Sequence, residues 1–493
     1  MTACRFLVVA LLATALLAAD PYEQALAELR QGRTFAAERI MLDHIEAIRR
    51  VHGDADARYA KALFQLATVR IAIDDRAGAV QALREAVAVP ADDQAERKDQ
   101  ITYEWNLGQI LARDGRAAEA IVVLRSNLVR REAFYGRRHA GYAFGQHILA
   151  EVLWIAREPA EAATLANEAL ANLQRNQQAE QWDACAVLGV VQCDLTPRPP
   201  PFAALAAADA QAWTQVAGKL EDLLSCRPAA ETLPAAIAFR DACLADGAPG
   251  RAAAETAQRM VAHLAEGAQR HDLRLQALQW LLAAHPAADA MGVELRMALG
   301  NAHGAAGDRK QQSASYAAAC TMAESQPGDC LSRTLRNAGL GQRDAGDVDG
   351  GLAMLRRALE VARQRQLAEE TGRACIALAV SLQHAKHSDG VEALLREGVG
   401  LLPLLDPDQV CGYSHLRAAE LGLGDCCAST GAYAVERAVQ EFIARHIAPD
   451  LVAAVTWAPS GLTVRTTRQP TPQEQTLLDR VVVHARSSMV RKH

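Results

Sequence analysis

The stretch ITYEWNLGQILARDGRAAEAIVVLRSNL, residues 101–128, reads as two helices joined by one polar turn. Leu107-Gly108 sits in the first helix, Asp114-Gly115-Arg116 makes the turn, and Ala120 and Leu124 fall on the second. The pattern recurs on either side. Small residues Ala67, Gly108 and Ala150 stand 41 and 42 residues apart, each preceded by Leu. Twelve residues beyond each comes Ala79, Ala120 or Ala162, and four further on Leu83, Leu124 or Ala166. The turns Asp74-Asp75-Arg76, Asp114-Gly115-Arg116 and Arg157-Glu158-Pro159 keep step. A fixed period near 40 with one turn per unit predicts stacked helical hairpins, none of which can bury its apolar face alone.

The connectors add to this. Val51-His52-Gly53-Asp54 and Phe134-Tyr135-Gly136-Arg137-Arg138-His139 place their glycines 83 residues apart, two periods, whereas Val89-Pro90-Ala91-Asp92-Asp93 lacks the glycine. On these large–small pairs, turns and connectors the chain resembles the tetratricopeptide repeat in its longer-period, kinesin-light-chain variety. The resemblance implies an all-α fold, a right-handed α-solenoid of stacked helical hairpins whose first helices line a concave groove.

Composition agrees: 493 residues, 50% hydrophobic yet only 4% aromatic, suit many thin helix–helix contacts. A net charge of −6 over this length does not favour a nucleic-acid surface, and no nucleic-acid partner is expected. Residues 1–19 read as a signal peptide. Arg5 is the positive start, Phe6 to Ala19 the apolar run, and Leu17-Ala18-Ala19 the small residues before a cleavage point. Fourteen apolar residues span only ~21 Å of helix, less than a bilayer core of about 30 Å. An exported chain, periplasmic or secreted, is the expectation, with an uncleaved N-terminal anchor as the alternative and no membrane span in the mature protein.

Export would put ten cysteines in an oxidising compartment. Cys320 and Cys330 flank the loop Ser325-Gln326-Pro327-Gly328, and Cys185 and Cys193 stand eight apart, so local bridges could form; the alternative is that these cysteines act as small buried apolar residues. No metal and no cofactor is expected, because no C-x-x-C occurs and no His stands at zinc-ligand spacing from a Cys pair.

The predicted organisation is a signal peptide (1–19), an N-terminal array (20–194), a proline-rich break (195–205), a degenerate C-terminal array (206–447) and a ββα unit (448–493). Within the first array, 22–50 reads as a capping hairpin and 56–175 as the three clear ones. Thr196-Pro197-Arg198-Pro199-Pro200-Pro201 cannot continue a helix and predicts a seam between arrays. Residues 202–285 show helices without register. Register returns at Leu299-Gly300, Ala338-Gly339 and Leu378-Ala379, with a looser pair around Leu423-Gly424 and Ser429-Thr430-Gly431. Leu451 to Trp457 and Leu462 to Thr467 read as strands about Pro459-Ser460-Gly461, and Thr471-Pro472-Gln473-Glu474 starts a last helix.

Residues offset from the packing stripe of each first helix are the candidate groove. They are Lys61, Phe64, Thr68 and Ala72 in the first clear hairpin; Thr102, Trp105, Gln109 and Arg113 in the second; and Phe144, His147, Glu151 and Trp154 in the third. Spacings of three and four put each set on one face. Aromatic anchors beside Lys61, Gln109 and Arg113 suit a peptide or protein partner. The competing reading packs the aromatics between neighbouring helices. No catalytic residues are expected, since G-x-S-x-G, H-E-x-x-H and a Walker-type Gly-Lys-Ser/Thr loop are all missing. The sequence therefore points to a non-enzymatic protein-interaction scaffold, with a ligand- or peptide-sensing regulatory protein as the second reading.

Overall fold

The computed structural model of the chain describes residues 20–30, 34–73, 75–195, 202–205, 208–387, 389–402, 408, 411–412, 415–416, 440, 443–444, 448, 450–458, 461–471, 474–475 and 478. The expected signal peptide, the prolines of 196–201, the pair around Leu423-Gly424 and the helix beyond residue 478 lie outside these.

Helices begin where a short polar side chain can cap them. In the first array α1 (Pro21–Arg30) and α2 (Thr34–His52) precede α3 (Ala57–Ala72), α4 (Arg76–Ala88), α5 (Gln94–Arg113), α6 (Ala117–Tyr135), α7 (Ala140–Ile155) and α8 (Pro159–Arg175). Asp56 caps α3, and Asp75 takes the Gly78 amide at the start of α4. Asp93 and Glu96 close a capping box on α5. At α7 it is the His139 ring that accepts the Gly141 amide at 2.9 Å. The turn between the paired helices needs one left-handed residue. Gly115 supplies it at φ +77°, and Arg157, one period later, is held at φ +65°.

The small residues read from the sequence are the helix crossings. A Cβ at Gly108 would stand 2.5 Å from Leu124, so α5 and α6 approach to the limit that glycine allows. Ala67 and Ala150 are buried at the same register, facing second helices whose Leu83 and Ala166 are fully buried. Asn127 on α6 donates to the Ile101 carbonyl at 2.7 Å and accepts from Arg131 at 2.7 Å; Arg131 reaches the Gly141 carbonyl on α7 at 2.7 Å. That buried polar chain ties three consecutive helices, and every member has a partner.

After α9 (Gln181–Asp194) the chain crosses the proline run. It resumes with a 3₁₀ turn (Ala203–Leu205), α10 (Ala210–Leu224), α11 (Ala229–Ala245) and α12 (Ala248–Gly267). The contacts divide the molecule at Gln269, into Met1–Gln269 and Arg270–His493. The expected seam at 195–205 is therefore corrected. Helix α9 ends at Asp194, but the apolar core continues beyond it. Phe202 packs so tightly on Gly189 of α9 that no Cβ fits there, and its ring meets Phe239 of α11 with centroids 5.1 Å apart. Arg227 bonds Asp194 at 2.5 Å across the same break.

The second unit repeats the hairpin theme: α13 (His271–Ala284), α14 (Ala290–Ala305) with α15 (Arg309–Ala323), α16 (Cys330–Asp344) with α17 (Val348–Gln364), and α18 (Ala368–His384) with α19 (Val391–Leu401). The returning register holds. Tyr316 lies over Gly300, where a Cβ would be 2.5 Å from its ring, and donates to Asn301 at 2.7 Å. Leu355 meets Gly339, and Leu395 is fully buried beside Ala379. The left-handed turn residues here are Gly307, Gly346 and Lys386.

Strands β1 (Val452–Ala458) and β2 (Gly461–Thr466) pair antiparallel, with Trp457 opposite Leu462 and an irregularity at Val452/Ala454. Thr471 and Glu474 form the reciprocal bonds of a capping box, at 2.8 and 3.2 Å. The fold is all-α, stacked helical hairpins, with a small two-stranded sheet near the C-terminus.

Among the described residues the cysteines are not joined in disulfides. Cys320 and Cys330 lie in one apolar cluster without a bridge, and Cys185 and Cys193 are likewise unlinked. The small-apolar reading is the one realised. Burial pushes the thiols of Cys185, Cys243 and Cys375 up to about 12 and that of Cys320 up to about 11.

Candidate functional site

The first helices α3, α5 and α7 lie side by side, and the predicted groove residues share the face turned from their second helices. The three sets meet different fates. On α3, Lys61 is exposed and Phe64 and Thr68 are half-buried; Ala72, at the helix end, is exposed. On α5, Thr102, Trp105 and Gln109 are half-buried and Arg113 is exposed. On α7, Phe144 is half-buried, whereas His147, Glu151 and Trp154 are only 1%, 5% and 1% exposed.

The aromatics pack between neighbouring helices, as the competing reading had it. Phe64 meets Tyr103 with ring centroids 5.1 Å apart. Trp105 stands edge-on to Phe144 at 4.9 Å, and Phe144 in turn to His147 at 5.0 Å. The Arg131 guanidinium covers Phe144 at 5.2 Å. The hydroxyls of Thr68 and Thr102 donate to the Phe64 and Lys98 carbonyls one turn back, at 3.2 Å each. What stays available on α3 and α5 is therefore the cationic heads of Lys61 and Arg113, the Gln109 amide and the outer faces of Phe64 and Trp105.

The third set is closed by the chain itself, which corrects the expectation that it lines an open groove. Helix α10 packs on α9, α11 and α12, with Trp213, Val216, Ala217, Leu220 and Leu223 at 1% exposure or less, and reaches α7 through a side chain. Lys219 reaches Glu151 at 2.7 Å in a nearly buried ion pair. Just beyond α10, Arg227 lies over the Trp154 ring at 4.8 Å and bonds both Asp194 and Glu231, while Arg157 takes the other oxygen of Glu231 at 2.6 Å. Gln215 donates to the Ala179 carbonyl and to Asp183. Burial, reinforced by the Lys219 and Arg131 charges, holds the His147 imidazole at a pKa of about 3, so it is neutral beneath this lid.

None of Lys219, Arg227, Asp194 or Glu231 was singled out from the sequence. One signal could have found the first. Lys219 falls on the apolar stripe that runs through Val216, Leu220 and Leu223, and a lone cation on such a stripe calls for a buried anion.

Chemically the face can hold extended backbone, carboxylates and apolar side chains. Among the described residues no group of three His, Cys, Asp or Glu gathers as a metal site, and no helix is long and apolar enough to cross a membrane.

Residues 99–175 match the tetratricopeptide repeat family, a span covering α5 to α8. No curated relative matches the chain. Among solved structures, the kinesin light chain nearly identical TPR-like repeats of Podosopora anserina are similar at 15% identity, covering 42% of this chain and 92% of that one with a TM-score of 0.32. The apo form of RapI is 9% identical over 61% of this chain and 96% of its own, with a TM-score of 0.35. A tetratricopeptide repeat protein from Parabacteroides merdae ATCC 43184 is 14% identical over 66% and 98%, with a TM-score of 0.26. No partner or activity is taken from them. With the period, the small-residue crossings and the sequence match in agreement, residues 99–175 carry tetratricopeptide repeats.

Proposed function

We propose that the chain is an exported, non-enzymatic scaffold that holds a protein or peptide partner on the inner face of α3 and α5. The residues doing so are Lys61, Phe64, Thr68, Thr102, Trp105, Gln109 and Arg113. One observation carries the reading: this stretch of the face keeps partly exposed aromatics and two exposed cations that enter no ion pair among the described residues, while the adjoining stretch on α7 is closed by Lys219 of α10 and by Arg227. Half-exposed aromatics flanked by such cations gain from a partner that covers them and brings carboxylates. Phe144, His147, Glu151 and Trp154 support this surface from below or from the side.

The test is capture from an envelope extract of the source organism by residues 20–493, beside Trp105→Ala/Arg113→Glu. Lys61→Glu/Arg113→Glu runs in parallel, because Trp105 also packs on Phe144. A specific partner lost with both variants supports the reading; capture unchanged by both refutes the placement of the surface. The export part of the proposal is checked by the N-terminus of the protein recovered from its host, which cleavage would leave at Asp20.

A further inference from the structure

Where α10 ends it walls a cavity of about 560 Å³ against the turns of the first three clear hairpins. Arg76, Arg113 and Arg157 line it from the array, and Asp222, Ser225 and Cys226 line it from α10. The charges are unequally engaged. Arg157 is committed to Glu231 at 2.6 Å, and Arg76 donates to the Arg113 carbonyl at 3.3 Å. The Arg113 guanidinium and the Asp222 carboxylate pair neither with each other nor with any other described residue. Helix ends of both signs border the space, the C-terminal ends of α5 and α7 and the N-terminal ends of α4 at Arg76 and of α6 at Ala117, so their partial charges largely cancel. With Arg157 offset by Glu231, the cavity holds two guanidinium groups and one carboxylate, and its unengaged groups are one cation, Arg113, and one anion, Asp222, from facing walls. The wall is fixed. Displacing α10 would expose Trp213, Val216, Leu220 and Leu223 to water, so the space is a standing feature and not a passing gap.

We infer that this cavity binds a small zwitterion, an amino acid or short peptide whose carboxylate meets Arg113 and whose ammonium group meets Asp222. A lone anion would leave Asp222 facing it, and a lone cation would leave Arg113; a zwitterion satisfies both. The volume falls in the range typical of small-molecule sites. The Ser225 hydroxyl donates to the Asp222 carbonyl at 2.7 Å, which orders the wall that carries the anion. This site shares Arg113 with the groove but needs no protein partner.

Cys226 is the reporter, since its half-buried thiol lines the cavity. The full chain is alkylated with and without L-alanine, trialanine, acetate or ethylamine at about 10 mM, and modification of Cys226 is followed by mass spectrometry. For a Kd near 1 mM the zwitterions slow it about tenfold, while acetate and ethylamine do not. Arg113→Gln and Asp222→Asn each remove the protection, judged as a ratio within each variant because Arg113 also favours the thiolate. Protection by alanine alone identifies an amino-acid site, and by trialanine alone a peptide site. Equal protection by the singly charged compounds, none by any compound, or protection that survives both substitutions overturns the proposal.

Discussion

Removing either partner of the Lys219–Glu151 pair strands a charge that has almost no water around it, since the side chains are 13% and 6% exposed. A stranded partner of a buried pair costs about 3–5 kcal/mol, whereas replacing both by apolar residues of similar size is near neutral or stabilising. Glu151→Leu and Lys219→Leu are each expected to destabilise the first unit by that amount. At a urea m-value of about 2–3 kcal/mol/M, the midpoint should fall by about 1–2 M. The double substitution is expected to lie within about 1 kcal/mol of the wild type, a coupling of several kcal/mol between residues 68 apart in sequence. Tryptophan fluorescence is the assay, because Trp154 and Trp213 both lie in this region and are 1% exposed. Single variants that shift the midpoint by less than about 0.5 M, or a double variant as unstable as the two singles added, would refute the claim that α10 is anchored through this pair.

The His147 imidazole, held near pKa 3 when folded and near 6.5 when unfolded, contributes stability that is complete above pH 6.5 and is lost as pH falls toward 3. Lowering pH from 7 to 5 should therefore cost about 2 kcal/mol from this residue, and His147→Gln should flatten the acid side of a pH series of urea midpoints. Lys386→Gly relieves a left-handed residue at φ +60° and is expected to stabilise the second unit by about 1 kcal/mol, read as a rise in melting temperature. The thiols of Cys185, Cys243 and Cys375 should resist alkylation at pH 8 in the folded chain and react at once in denaturant, as site-resolved mass spectrometry would report.

The periodic part of the fold was legible because it is local. Leu107-Gly108 facing Leu124, and Gly300 facing Tyr316, are contacts between helices fewer than 20 residues apart, and a repeat writes them into the sequence at fixed intervals. The β-hairpin was readable on the same grounds. The seam at the prolines was misplaced because the proline run reports only that a helix stops, not which core the next helix joins; Phe202 on Gly189 decides that, and no spacing announces it. For the groove, helical periodicity picked out Lys61 and Arg113, which are exposed, and Trp105 and Gln109, which are half-buried. The covering of His147, Glu151 and Trp154 depends on a helix about 70 residues away, beyond the reach of any local pattern.

Consecutive hairpins in a solenoid touch only their neighbours, so their stabilities add along the stack and unfolding can fray from an end. Helix α10 breaks that rule here. By joining α7 to residues 209–231 it makes the hairpins on either side of the proline run depend on one another, so this stretch should melt as one cooperative block and not repeat by repeat. During synthesis the third hairpin would then wait for Arg227 before Trp154 and Glu151 are covered. A chain ending at the prolines would leave an ionised carboxylate and an indole bare on its inner face.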